Sequence, residues 1–333
     1  MFDGIIFLMQ IKVIEPIGEC FGVKNIIDKA GEIIETFKDR RIFIFGSLVH
    51  NKKTIEPLLK SNVILIPYTN NIEELNSFNI LAVDIVIFSA HGHTKKVDLY
   101  MRKRTKNVYD FTCPIVKKNI LEVINTKKNI IYLGDKNHEE SKTILNLRKN
   151  VYLVDSKADF EINNLKQMRR ATLISQTTLS KSELATKVNE IKSNIRNLED
   201  KSGICNETSK RQDALISEAP NFDIILILGE KISSNTSKLF EIASNFKNAK
   251  SFLISDIREL NNIPFNKEDK VLIASGTSCS QIFAQEVISE LGKISTKLWF
   301  RSSNSFRNIK IVLRIFIHWI LKNPAKTHYF YQF

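Results

Sequence analysis

The 333-residue chain holds only four cysteines, six histidines, two tryptophans and 11 glycines. Four cysteines in a chain of this length are too few for a disulfide framework. No two of them form a C-x-x-C pair, so ordinary structural zinc, which takes four ligands in close pairs, is excluded. No stretch of eighteen apolar residues occurs, so no membrane-spanning helix is expected. The opening M-F-D-G-I-I-F-L-M carries Asp3 where a secretory signal needs a basic segment, and no small-residue cleavage site follows. Met9 is an alternative start, with residues 1–8 an extension. These absences point to a reducing, cytoplasmic setting, where thiols serve as metal ligands, catalytic groups or buried core. Glycine is scarce while isoleucine, lysine and asparagine abound, a bias of coding that excludes no function.

Acidic residues are missing altogether from Lys297–Phe333, which holds seven Lys or Arg in 37 residues. The net charge is +13, so the other 296 residues carry +6. That mild excess suits a small anionic substrate and does not require nucleic acid. Hydrophobic residues make up 43%, enough for a large core.

Short β-branched runs recur along the chain: I-K-V-I-E (11–15), R-I-F-I-F (41–45), V-I-L-I (63–66), D-I-V-I-F (84–88), N-I-I-Y-L (129–133), V-Y-L-V (151–154), A-T-L-I (171–174), D-I-I-L-I-L (223–228), S-F-L-I (251–254) and K-V-L-I-A (270–274). Continuous apolar runs of this length fit strands covered on both faces. Longer periodic segments between them predict helices. The alternation predicts an α/β fold.

Three cysteines are almost evenly spaced, Cys20 and Cys113 by 93 residues, Cys113 and Cys205 by 92. After each comes a strand running into a glycine-led polar loop, at Gly46, Gly134 and Gly229. A second strand then runs into a serine-led loop, F-S-A-H-G, I-S-Q-T-T or A-S-G-T-S, at Ser89, Ser175 and Ser275. The chain therefore reads as three α/β units of about 90 residues, too long a period for a solenoid. The expected divisions are 9–113, with Cys20 and also Cys113 at its end, 114–201, and 202–296 with Cys205. Residues 1–8 and 297–333 flank them. Loops that follow strands of an open α/β sheet gather beyond the strands' carboxyl ends. Packed about a pseudo-threefold axis, all six loops would face one point.

Three converging thiolates suit a metal centre, and an iron–sulfur cubane held by three would leave one iron open. The bland alternative is three buried structural cysteines. Cys279 has no counterpart in the other copies and reads as a bystander. The loops contribute His50, His91, His138, Thr177, Ser233, Ser234, Asn235 and Ser278. Neutral and cationic donors gathered together suit a phosphate or diphosphate, although each residue alone fits an ordinary cap or core position. His93 lies outside the repeat and reads as structural. Glu139 and Glu140 follow His138, and an acid beside a metal-bound substrate can relay protons. Adjacent carboxylates diverge, so at most one of the two faces the centre.

Nine motifs in order carry a resemblance that covers about residues 9–290. They are G-E-C-F-G-V (18–23), V-H-N (49–51), F-S-A-H-G (88–92), D-F-T-C-P-I-V-K-K (110–118), N-H-E-E (137–140), S-Q-T-T-L-S (175–180), G-I-C-N-E-T (203–208) with R-Q (211–212), S-S-N-T (233–236) and G-T-S (276–278). Together the chain resembles the 4-hydroxy-3-methylbut-2-enyl diphosphate reductases, the last enzymes of the methylerythritol phosphate route to isoprenoids. The resemblance implies three α/β units about a pseudo-threefold axis with a central [4Fe–4S] cluster, one per chain, on Cys20, Cys113 and Cys205. It implies a diphosphate pocket of His50, His91, His138, Ser233, Ser234, Asn235 and Ser278. It selects Glu140 over Glu139 as the proton relay, in a catalytic set with His138 and with Thr177, which fixes the substrate hydroxyl. The implied reaction is reductive dehydroxylation to isopentenyl and dimethylallyl diphosphate, with the hydroxyl on the open iron. Two electrons come from a ferredoxin- or flavodoxin-type donor. A cluster-dependent hydro-lyase and a non-enzymatic basic nucleic-acid-binding protein are the alternatives.

The chain departs from that pattern in three places. Glu19 and Phe21 flank Cys20, where smaller or less polar neighbours are usual. An inward Glu19 would lower the cluster's potential. Glu139 stands where a proline is common, which would loosen that loop. The tail from Lys297 replaces a short closing segment; a membrane-surface helix, a site for an acidic partner and an unselected sequence are its three readings.

Overall fold

The computed structural model describes residues 9–156, 159 and 165–302. Residues 1–8 and 303–333 lie outside them, and with these most of the basic tail. Twelve strands are described: β1 (Gln10–Val13), β2 (Ile42–Phe45), β3 (Val63–Ile66), β4 (Ile85–Phe88), β5 (Asn107–Asp110), β6 (Asn129–Leu133), β7 (Val151–Val154), β8 (Arg170–Ser175), β9 (Asn197–Asp200), β10 (Ile224–Leu228), β11 (Lys250–Ile254) and β12 (Lys270–Ser275). They form three four-stranded sheets ordered β3-β2-β4-β5, β7-β6-β8-β9 and β11-β10-β12-β1. Every pairing is parallel.

Central strands are buried along nearly their whole length, β2 and β4 at every residue. Their side chains divide by the strand's period of two. In the first sheet Phe43, Phe45, Val86 and Phe88 pack on one face, and Ile42, Ile44, Ile85 and Ile87 on the other. The other sheets are likewise flanked by two apolar clusters each. Full burial of each such side chain stabilises the fold by roughly 1.5–3 kcal/mol. Helices on both faces close the layers, the arrangement that all-parallel sheets require.

The three sheets share one order. From the far edge inward comes a plain strand, then the strand leading to the glycine loop, then the one leading to the serine loop. The last strand leads to the cysteine. The cysteine thus closes a unit rather than opening it. Cys113 follows β5 and Cys205 follows β9. Cys20 follows β1, which pairs with β12, Gln10 opposite Lys270. Residues 10–13, expected within the 9–113 unit, therefore belong by pairing to the last sheet. Two strands not expected from the sequence, N-V-Y-D (β5) and N-L-E-D (β9), fill the corresponding positions in the other sheets.

Helix Gln281–Ser302 follows β12 and runs past Lys297, so the first residues of the expected tail continue a helix of the last unit. Among the described residues no helix is long and apolar enough to cross a membrane.

Candidate functional site

In a parallel sheet the loops that follow the strands all emerge at the carboxyl ends, and here those of all three sheets meet around one pocket. Cys20, Cys113 and Cys205 line it. So do His50, His91 and His138, with Glu140 and Thr177. Ser233, Ser234, Asn235 and Ser278 complete the set drawn from the sequence. Glu139, His93 and Cys279 lie elsewhere.

Each cysteine stands at the N-cap of a helix: Phe21–Thr36, Pro114–Asn125 and Asn206–Glu218. Helix N-termini carry partial positive charge, which favours thiolates or an anionic group. Each cysteine amide donates to a serine-loop carbonyl: Cys20 to Thr277 at 3.0 Å, Cys113 to Ala90 at 3.0 Å, Cys205 to Thr177 at 2.8 Å. Three copies of one hydrogen bond thus set the three sulfurs around the pocket. Burial pushes the Cys20 and Cys113 thiols up, and Cys205 adds to both shifts; helix amides work against it. Among the described residues only the histidine trio brings its ligand atoms within 4.8 Å of one another. The three sulfurs do not form such a group, but Cys205 is near enough to act on both of the others. Cys279 sits instead in the core of the last unit with no exposure, its thiol pushed up to about 12 by burial and by Glu19.

The Cys20 loop is held from two sides. Arg211, 2% exposed, donates from Nη1 to the Ser275 carbonyl and hydroxyl, both at 2.9 Å, and from Nη2 to the Gly18 carbonyl at 2.8 Å. Gly18 sits at φ +80°, where a side chain is strained, and a Cβ there would lie 3.1 Å from the Gln281 Cα. The Glu19 carboxylate accepts the Gln281 amide at 2.8 Å. It caps the helix Gln281–Ser302 and so is not directed at the sulfurs. Phe21 points out, 85% exposed. Arg211 was visible in the sequence only as part of the R-Q motif; nothing local signalled that its guanidinium ties two loops.

The histidines pack ring on ring. His50 stacks on His91 with centroids 4.1 Å apart, and His138 meets both edge-on. Burial lowers His50 to about 3, helped by the adjacent His91. Burial also holds His138 well below the usual range, with His91 and His50 next in effect. His138 Nδ1 accepts the Glu140 amide at 3.2 Å, so its hydrogen is on Nε2. A nitrogen that carries hydrogen can donate but cannot ligate. That tautomer fits an anion in the trio and disfavours a divalent ion. Beside it, Ser278 donates to the Ser233 hydroxyl at 3.2 Å, and Ser233 caps the helix Ser234–Ser244. Asn235 spends its amide internally: Oδ1 accepts from Thr277 N and Nδ2 donates to Thr208. Its backbone amide, in the first helical turn, keeps no helical partner.

Glu140 is buried and bonded to Thr177. The Thr177 hydroxyl donates to Oε2 at 2.8 Å, and the Thr177 amide reaches the two oxygens at 3.2 and 3.3 Å. Burial raises the Glu140 carboxyl in spite of those bonds. The proton is thereby held more tightly than on an exposed glutamate. Fully buried Tyr132 lies beside it and is raised by burial and by the Glu140 charge. Glu139 diverges, as adjacent carboxylates do, and lines a second pocket behind His138. Both its oxygens accept the Ser47 amide at 3.1 Å. The loop expected to be loosened without proline is thus pinned; a helix begins at Glu139, where proline and glutamate both suit the first turn. His93 stacks on Phe88 at 3.6 Å and stays outside the pocket.

The profile of the LytB protein family matches residues 11–292. A 4-hydroxy-3-methylbut-2-enyl diphosphate reductase of Neorickettsia sennetsu is 31% identical over 290 residues, 86% of this chain and 92% of that one. The enzyme of the same name from Caldanaerobacter subterraneus is 32% identical over 288 residues, 85% and 96%. Among solved structures, the E-1-hydroxy-2-methyl-but-2-enyl-4-diphosphate reductase of Plasmodium falciparum superposes with TM-score 0.72 at 26% identity, over 85% of this chain and 88% of that one. A second, described as (E)-4-hydroxy-3-methyl-but-2-enyl diphosphate reductase, the terminal enzyme of the non-mevalonate pathway, gives TM-score 0.59 at 26% identity, over 86% and 100%.

Proposed function

This chain belongs to the LytB protein family, and from that premise we infer that it reduces (E)-4-hydroxy-3-methylbut-2-enyl diphosphate to isopentenyl and dimethylallyl diphosphate. The observation that carries the reading is the single pocket. Three thiols from three sheets, three stacked histidines and a buried Glu140–Thr177 pair all line it. In balance, the allylic alcohol takes two electrons and two protons and releases water.

Cys20, Cys113 and Cys205 would hold a [4Fe–4S] cluster. Their three helix N-termini and the nearby Arg211 guanidinium fit an anionic group. When bound, the cluster would supply electrons and Lewis acidity toward the substrate hydroxyl.

The remaining work falls to the protein's own side chains. His138 Nε2–H and the Ser233 hydroxyl donate to the diphosphate, Ser278 orienting Ser233; His50, His91, Ser234 and the first-turn amide of Asn235 complete its cradle. The Glu140 carboxyl, raised by burial, would supply a proton toward the leaving oxygen, the Thr177 hydroxyl turning from donating to Oε2 to accepting from it. The pocket's buried walls exclude water, which strengthens each of these contacts.

The external donor is a small acidic electron-transfer protein of the ferredoxin or flavodoxin type, in the same cytoplasmic compartment. Supporting this are exposed Phe21, directly beside Cys20, and exposed Lys24, Lys117 and Lys118 on the first turns of the cysteine-capped helices.

The test is anaerobic turnover of the hydroxylated diphosphate with and without a reductant, iron content being measured on the same sample. Product only with reductant supports the reductase. Product without it indicates a hydro-lyase, and none from fully loaded protein overturns the assignment.

A further inference from the structure

Glu139 lies behind the histidine trio, at the edge of the second pocket. One residue, Ser47, links it to His91 through its backbone. The Ser47 amide donates to both Glu139 oxygens at 3.1 Å, and the Ser47 carbonyl lies 3.1 Å from His91 Nδ1. Glu139 Oε2 itself is 3.4 Å from the same Nδ1. The room for that oxygen depends on Gly46, at φ +74°, since a Cβ there would lie 2.8 Å from Oε2.

Both partners of His91 Nδ1 are acceptors, so the ring hydrogen is fixed there. Nε2 is left as a lone pair on the pocket side. A diphosphate oxygen offers only lone pairs. His91 can bond it only by taking up a proton at Nε2, and the resulting cation then lies between the anion and Glu139.

The other groups around His91 do not compete for this role. His50 stacks on its face and His138 meets it edge-on, and burial disfavours charge on both. His138 Nδ1 is already engaged by the Glu140 amide. Glu140, which also acts electrostatically with His91, is tied to Thr177. Lys142 lies near His138, and the Tyr68 hydroxyl borders Glu139.

We propose that Glu139 is a positioning residue for the anion: it fixes the Nδ1 hydrogen of His91 and counters the charge His91 gains when a diphosphate binds. The proposal rests on the anion reading of the central pocket given above.

The experiment is calorimetric titration of inorganic pyrophosphate into the cluster-loaded full chain, between about pH 6 and 9. Wild-type binding is expected to tighten as pH falls, with proton uptake. Glu139→Gln should bind roughly tenfold more weakly at neutral pH, and its binding should fall off about one pH unit lower. KM for the substrate should rise by a similar factor while kcat moves less. Since Glu139 acts through His91, Glu139→Gln with His91→Gln should be no weaker than His91→Gln alone. A pH profile and affinity unchanged in Glu139→Gln overturn the proposal, as does a full additive loss in the double variant. Should Glu139→Gln not fold, Glu139→Asp, which withdraws the charge by one methylene, is read by the same criteria. Failure of the wild type to bind pyrophosphate at any pH sinks the anion reading itself; binding that is indifferent to Glu139 sinks this inference alone.

Discussion

The Cys205 amide donates to the Thr177 carbonyl at 2.8 Å, while the Thr177 hydroxyl donates to Glu140 at 2.8 Å. One residue thus fixes the height of a sulfur through its backbone and the position of a carboxyl through its side chain. The buried carboxyl and the sulfur are registered against each other by a single threonine.

Glu140→Gln keeps the shape and removes the titratable acid. It is expected to retain wild-type iron content and to lose about 100- to 10,000-fold in turnover, the usual range for a positioned acid. Steady-state kinetics beside iron analysis checks this. Full activity would remove Glu140 from the reaction.

Cysteine substitutions separate the ligands from the bystander. Cys205→Ala should lower iron and sulfide per chain after strictly anaerobic purification, from about four of each to well below. Cys279→Ala should leave both unchanged and cost about 1 kcal/mol in denaturant unfolding, since it removes one buried sulfur from the core. Iron loss in Cys279→Ala alone would reverse the two assignments.

Arg211→Met removes three hydrogen bonds from a buried guanidinium and leaves Gly18 and Ser275 carbonyls without it. A loss of about 3 kcal/mol is expected, with reduced iron retention as the Cys20 loop loosens. Arg211→Lys should restore little of either, because one ammonium cannot span both loops as the fork does. Denaturant curves and iron release on dilution are the readouts.

Acid should destabilise the empty pocket. His50 lies at about 3, below the usual histidine value, and His138 is also depressed. Between those values and about 6.5 the unfolded chain binds protons that the folded chain refuses. Stability therefore falls as pH drops through that window, by up to about 1.4 kcal/mol per pH unit for each histidine. Melting of the apoprotein at successive pH values checks the slope, and His50→Gln should flatten it.

The alternation of apolar runs with periodic segments made the α/β architecture legible, because central strands such as β2 and β4 are buried on both faces and must be apolar throughout. β5 and β9 escaped notice because they are partner-poor edges: N-V-Y-D and N-L-E-D have no fully buried residue. The equal cysteine spacing was legible, but the frame of the repeat was not. Which sheet β1 joins depends on a pairing across 260 residues, and no local pattern encodes it. Similarly, the pocket residues announced themselves by recurring at loop positions, whereas Glu139 and Arg211 act through backbone partners in distant loops.

The pairing of β1 with β12 also sets a timetable for synthesis. Cys20 leaves the ribosome early, but the strand that places it must wait for its partner 260 residues later. At about 5–20 residues per second, that wait is roughly 13–50 seconds. The first two sheets can form while translation proceeds, so two of the three sulfurs are in place before the third. Completion of the pocket then belongs to the finished chain, and a truncated message yields a protein that folds in part and never closes it.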